Sequence, residues 1–297
     1  MIRESLILEF ELTEEYIDDG GADDLLEFMT SIDRTTKLVV RDSASIAQLV
    51  LSREFAENAL GGLEVLEFER CFEGIEADLS DQFFYIEMYP NLIKLSVKVE
   101  KLGDFILEEG HEEEEGHEEE EELFDTIHML QIIAPLNHPQ IIKFASRFSH
   151  IAFLSLTNNS SVPNFLPILS AIDTTVRSLD LHQFSPSSTS AASSENSKID
   201  EVISRFIDLD ALSIDADIIS QGFIGNLVDP LRIVELSFGP LVKLLEFGSL
   251  IEGETRMAAL RKLSLEMSCE VGGEGRREEL LRAAEREGII LDGAYFA

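Results

Sequence analysis

The chain has 297 residues, 44% of them hydrophobic, which is enough for a buried core and excludes a wholly disordered protein. Its 58 acidic and 23 basic residues give a net charge of −35, so phosphate backbones and anionic lipids are repelled, and neither nucleic acid nor a membrane is an expected partner. The two cysteines, Cys71 and Cys269, lie far apart, which argues against a disulfide framework and favours a cytoplasmic or nuclear location.

A short strand pattern recurs along the chain: an apolar residue, two variable residues, an apolar residue, one variable residue and an apolar residue. Clear copies occupy residues 63–68, 92–97, 151–156, 176–181, 209–214, 231–236 and 260–265. Weaker copies lie at Leu8–Phe10 and Leu38–Val40, and a further segment, Ile127–Ile132, is compatible with either a strand or a helix.

The spacing of these copies indicates the kind of repeat. Their central apolar residues are separated by 30, 28 and 29 residues at the start of the chain, and by 25, 33, 22 and 29 residues after Leu154. A period of about 20–30 residues with one short alternating strand in each unit is typical of leucine-rich repeats.

Helical segments are predicted between the strands, at Ser43–Leu60, Pro139–Phe148, Pro163–Ile172, Lys198–Phe206, Ala216–Val228 and Pro240–Leu250. The alternation predicts an α/β fold, a leucine-rich-repeat solenoid with parallel strands on the concave face and helices on the convex face. We expect a single domain over residues 1–297, closed by a C-terminal cap over residues 274–297.

Two low-complexity segments interrupt the predicted array. Residues 108–122 contain eleven glutamates, and such charge density predicts a disordered acidic insert. Residues 185–197 are rich in serine and predict a flexible loop.

The predicted binding surface consists of the side chains that alternate away from the core along the strands. We expect a polar docking surface that includes Lys37, Arg41, Glu67, Glu69, Lys94, Lys98, Phe153, Ser155, Asp180, His182, Asp215, Glu235 and Lys262. Lys37, Arg41, Lys94 and Lys98 form a small basic island within this set.

Nothing in the sequence predicts catalysis, a cofactor or a metal site. The histidines are dispersed, and the usual nucleophile, nucleotide-binding and zinc motifs are absent. Two Asp-x-Asp pairs, at residues 208–210 and 215–217, border a predicted strand, where alternation alone produces their spacing.

The chain as a whole resembles the leucine-rich-repeat region of fungal F-box proteins, with its long irregular units, acidic loops and closing helix before a last strand. The asparagine or cysteine that this family places after a strand corresponds to Cys71 and Asn159. An F-box is not found in the sequence, so docking to a ubiquitin-ligase adaptor is not expected.

The resemblance implies a protein-interaction module that binds a protein partner on its concave face and is not an enzyme. An acidic leucine-rich-repeat chaperone or histone-binding protein is the alternative, because such proteins also combine these repeats with glutamate runs. The sequence does not identify the partner.

Overall fold

A computed structural model describes residues 27, 35–58, 61–75, 78–103, 124–160, 164–172, 175–184, 199–215, 223, 233–238, 259–265 and 273–292. Several predictions lie outside the described residues. They are the strand copy at residues 8–10, both low-complexity segments, the helix at 240–250 and nearly all of the helix at 216–228. The chain divides into two units, Met1–Ile151 and Ala152–Ala297.

The first unit contains four parallel strands that neighbour one another in chain order. The strands are β1 (Lys37–Arg41), β2 (Val65–Glu69), β3 (Lys94–Lys98) and β4 (Met129–Ala134). The helices are α1 (Ala44–Val50), α2 (Arg53–Asn58), α3 (Leu79–Gln82), a 3₁₀ helix (Ile86–Met88) and α4 (Pro139–Ser146).

The second unit contains six further parallel strands, again neighbouring one another in chain order. They are β5 (Phe153–Asn158), β6 (Ser178–Gln183), β7 (Ala211–Ile214), β8 (Glu235–Phe238), β9 (Lys262–Leu265) and β10 (Ile290–Asp292). Its described helices include α5 (Leu166–Ala171), residues 199–203 and α6 (Gly273–Glu287).

A stack of leucines fixes the strand register in each unit. In the first unit Leu38, Leu66, Leu95 and Leu130 are partners on successive strands. In the second unit the row comprises Leu154, Leu179, Leu212, Leu236, Leu263 and Leu291. All but Leu291 are buried, which confirms the predicted inward positions of the other copies of the pattern. The copy predicted at 231–236 is wrong by two residues, because strand pairing aligns Leu236, and not Val234, with Leu212 and Leu263, and Val234 is partly exposed. The fold is an α/β leucine-rich-repeat solenoid.

The segment predicted as one helix at Ser43–Leu60 forms two helices. Ser43 caps α1 by accepting a hydrogen bond from the Ile46 amide, and α1 ends at Val50. The Ser52 hydroxyl then accepts a hydrogen bond from the Phe55 amide at the start of α2. A serine that caps a new helix stops the first one, because its side chain competes with helical backbone bonding.

The segment Ile127–Ile132, which fits either a strand or a helix by sequence, contributes to strand β4 (Met129–Ala134). β4 pairs with β3 along its length, from Lys94 opposite Met129 to Lys98 opposite Ile133.

Within the described ranges, no helix combines the length and apolar character needed to cross a membrane.

Candidate functional site

The outward side chains of β1–β4 form what we call the first strand face. Strand pairing aligns them in three rows, and each row crosses the four strands in order. The rows are Lys37, Val65, Lys94 and Met129; Val39, Glu67, Ser96 and Gln131; and Arg41, Glu69, Lys98 and Ile133. All six residues of the predicted binding surface that belong to this unit therefore lie on one face of one sheet.

Glu67 is the centre of the charge arrangement on this face. Its two carboxylate oxygens lie 3.0 Å from Lys37 Nζ and 3.2 Å from Lys94 Nζ, both on adjacent strands. Partial burial is the largest single effect and raises the pKa of the Glu67 carboxyl, but the hydrogen bonds and charges of Lys37 and Lys94 together hold that pKa below its ordinary value. Glu67 therefore stays ionised and ties three repeats together.

The third row contains a second ion pair and an uncompensated lysine. Arg41 Nε donates to Glu69 Oε2 at 2.9 Å. Lys98 lies opposite Glu69 on the other side, yet it makes no ion pair with any described residue. The predicted basic island is thus four cations interleaved with two carboxylates, and Lys98 is its least neutralised member.

The turns that follow β1 and β2 place another charge pair beside this face. Asp42 and Arg70 have left-handed backbones, with φ of 53° and 56°, and Arg70 Nη2 lies 2.7 Å from Asp42 Oδ2. Cys71, one of the residues matched by the family resemblance, is buried, and its Sγ donates to the Val40 carbonyl oxygen at 3.3 Å. It contributes to the turn and not to the exposed face.

The outward side chains of β5–β10, together with Asp215 just after β7, form the second strand face. Its first row contains Phe153, Ser178, Ala211, Glu235, Lys262 and Ile290. Its second row contains Ser155, Asp180, Ser213, Ser237, Ser264 and Asp292. The face is dominated by hydroxyl and carboxylate groups, in contrast with the cations of the first strand face.

Three titratable groups meet on the second strand face. His182 Nδ1 lies 3.5 Å from Asp215 Oδ1, while Asp215 Oδ2 accepts a hydrogen bond from the Gln183 amide at 2.8 Å. The contact with Asp215 raises the pKa of the His182 imidazole against the opposing effect of its burial. Burial raises the pKa of the Asp180 carboxyl, although His182 pulls it in the other direction.

The His182–Asp215 contact predicts a pH-dependent stability. Folding raises the pKa of His182 above its ordinary value of 6.5, so this contribution to the free energy of unfolding is complete below that pH. The contribution is lost as pH rises through the folded pKa.

Urea unfolding of the wild type and of Asp215→Asn, from about pH 6 to about pH 8, measures this effect. We expect the stability advantage of the wild type over the variant to shrink as pH rises. An advantage that stays constant over this range would contradict the contact.

The ion pairs on β8, β9 and β10 are longer than those on the first strand face. Lys262 Nζ lies 3.9 Å from carboxylate oxygens of both Glu235 and Asp292, at the limit of an ion pair. Phe184, just after β6, exposes 75% of its surface, and the sequence did not single it out because it follows the repeat pattern. An exposed aromatic side chain at the edge of this face is a candidate contact for a protein partner.

The last residue of β5, Asn158, is buried and is the neighbour of Asn159, the residue matched by the family resemblance. Asn158 Nδ2 donates to Gln183 Oε1 at 3.0 Å, and its Oδ1 accepts a hydrogen bond from the Ser160 hydroxyl. Gln183 Nε2 in turn donates to the Ser160 carbonyl. These bonds fix the ends of β5 and β6, so the residue supports the face without lying on it.

The Asp-x-Asp pairs do not converge on one point in the described part of the chain. Asp208 and Asp210 are exposed before β7, whereas Asp215 is engaged by His182 and Gln183. Asp217 lies outside the described residues. Among the described residues, no group of three or more histidine, cysteine or acidic side chains is arranged to hold a metal ion.

Comparisons with known proteins identify no family for this chain. No protein-family model matches it, and no curated protein sequence is similar to it. A solved structure of the TLR13–ssRNA13 complex is similar with a TM-score of 0.41 and 12% sequence identity. That similarity covers 80% of this chain, and the chain spans only 33% of the length of the protein in that complex.

Proposed function

We propose that the chain is a non-catalytic protein-interaction module of the kind present in F-box/leucine-rich-repeat proteins. It binds a protein partner through its strand faces. The proposal is supported by the strand register, which holds polar and charged side chains at fixed outward positions in most of the described repeats. Stacked repeats of this kind commonly serve as extended binding surfaces.

The observation that carries the proposal is the preorganised first strand face. Lys37, Glu67 and Lys94 are joined across three strands, and Arg41 is joined to Glu69. Binding costs less when the contacting side chains are already ordered, because fewer rotamers are lost on association. These pairs lie at the surface and are partly exposed, so they add little to stability, and their main consequence is the fixed pattern of charge that a partner meets.

Charge reversal on this face tests the proposal. We expect the double variant Lys94→Glu, Lys98→Glu to reduce partner capture from a lysate of the source organism by about tenfold or more, because truncating or reversing interface charges weakens complexes by this order. Quantitative mass spectrometry of proteins retained by the immobilised full chain provides the measurement. Lys101→Glu, which reverses one charge at an exposed residue after β3, is the matched control for Lys98→Glu alone and makes half the charge change of the double variant.

Deletion of residues 108–122 separates this function from that of an acidic chaperone. If the strand face binds the partner, the deletion changes capture little. If the chain is instead a histone-binding chaperone, the deletion abolishes binding of purified histones and the lysine reversals leave it intact. Binding through an exposed glutamate run should weaken steeply as the salt concentration rises, because such contacts are screened over about 8 Å at physiological ionic strength. Binding through the strand face should weaken less.

A further inference from the structure

The first strand face departs from the charge of the rest of the chain. The whole protein has a net charge of −35, yet the described residues of this face include four cations, Lys37, Arg41, Lys94 and Lys98, and two carboxylates, Glu67 and Glu69. The described part of the face therefore has a net charge of +2. Cations gathered on one surface of a strongly acidic protein indicate a ligand of opposite charge, because charge complementarity steers and selects partners.

We propose that the first strand face binds an acidic segment of the protein partner, an inference that rests on the proposed function and adds the chemistry of the partner. Lys94 and Lys98 lie on the same side of β3, four residues apart, which is about 13 Å at the usual rise of a strand. An extended peptide lying along β3 has the same rise. Its carboxylates at positions four residues apart meet both lysines.

Apolar side chains beside the lysines define the rest of the ligand. Met129 and Ile133 lie opposite Lys94 and Lys98 on β4, about 4.8 Å away across the sheet, and both are partly exposed. A segment that combines acidic with apolar residues can therefore satisfy both strands at once. Because β3 and β4 hold these four side chains in register, the ligand sequence is constrained in spacing as well as in charge.

A nucleic acid is a poorer fit to the same cations. Affinity for a phosphate backbone grows with the number of phosphates that are neutralised, and this face offers only a few cations. Glu67 and Glu69 lie among them, and Glu67 is kept ionised by its two lysine partners. A short peptide can place its carboxylates on the lysines and avoid these glutamates, whereas a continuous polyanion cannot.

The test compares four fluorescent probes on the full chain by anisotropy at low salt. The probes are a twelve-residue peptide of alternating glutamate and leucine, its glutamine and lysine counterparts, and a twelve-nucleotide single-stranded RNA. We expect the acidic peptide to bind about tenfold more tightly than the glutamine peptide, with affinity falling as salt rises. The lysine peptide and the RNA should bind more weakly than the acidic peptide.

Two variants with opposite expected effects on affinity make the test specific to this face. Lys98→Glu should weaken binding of the acidic peptide about tenfold, and Glu67→Gln should strengthen it severalfold by releasing Lys37 and Lys94. Lys101→Glu and Glu64→Gln carry the same charge changes at exposed residues beyond the ends of β3 and β2, and each should have a small effect. Misfolding could explain a loss of binding by Lys98→Glu, but it does not produce a gain in affinity. A gain by Glu67→Gln therefore shows that the charge of this face controls binding.

The outcomes separate the inference from the proposed function. If the glutamine or lysine peptide binds best and still depends on Lys98, or if the RNA binds best, the face does not select an acidic peptide and the inference is overturned. If neither variant alters binding of the acidic peptide, the inference is also overturned. In each case the proposed function is judged independently by whether the Lys94→Glu, Lys98→Glu variant loses its captured partner.

Discussion

Replacing Phe83 by alanine is expected to lower the free energy of unfolding by about 3–5 kcal/mol, the range for deleting a fully buried aromatic ring. Phe83 has no exposed surface and is the centre of an aromatic cluster in the first unit. Its ring centroid lies 5.7 Å from that of Phe68, 5.3 Å from Phe72 and 4.8 Å from Phe144. The substitution removes all three contacts and leaves a cavity at the centre of the cluster.

The adjacent residue supplies the matched control for this prediction. Phe84 exposes 51% of its surface and contacts Tyr85, so Phe84→Ala should cost far less than Phe83→Ala. Urea unfolding followed by far-ultraviolet circular dichroism measures both, since the chain has no tryptophan to serve as a fluorescent probe. Equal losses for the two substitutions would contradict the packing described here.

Leu179→Ala is expected to cost about 2–5 kcal/mol, because it interrupts the leucine stack of the second unit. Leu179 has no exposed surface and lies between Leu154 and Leu212 on the neighbouring strands. The lost contacts are with the repeats on both sides, so protection of the backbone amides from hydrogen exchange should fall in β5 and β7 as well as in β6.

Hydrogen exchange measured by mass spectrometry locates this loss along the chain. Phe184→Ala, just after the same strand, removes a larger side chain from an exposed position and should leave exchange in β5–β7 nearly unchanged. A similar increase in exchange for both variants would show that Leu179 does not contribute more to the core than its exposed neighbour.

The inward positions of most repeats could be predicted from the sequence because their apolar residues recur with a fixed spacing. The copy at 231–236 is an exception, since strand pairing centres β8 on Leu236 and not on Val234. Leu66, Leu95 and Leu179 all occupy the central position of the pattern, and each is fully buried. The segment at 127–132 was ambiguous because its apolar residues fit both a period of two and a helical period. Only its pairing with β3 settles the question, and that pairing also places Met129 and Ile133 on the first strand face.

The charge pattern of the candidate site depends on register, which the sequence does not specify to the residue. The sequence identifies Lys37, Glu67 and Lys94 as outward-facing, but not that one carboxylate joins both lysines. Similarly, the contact of His182 with Asp215 joins residues 33 positions apart, and it exists only because β6 and β7 align as they do. Side-chain partners across strands follow from the three-dimensional alignment and not from local pattern.

Because strand order equals chain order within each unit, these repeats can fold while the protein is still being synthesised. Each strand finds its partner about one repeat earlier in the chain, as Leu95 finds Leu66, so a repeat leaving the ribosome meets an edge that is already formed. Every added strand covers the edge that could otherwise pair with another nascent chain. A pause in synthesis between repeats therefore leaves the last paired strand as an open edge at the growing end of the array. A pause within a repeat also leaves an unpaired apolar strand, so we expect stalled chains of that kind to aggregate more.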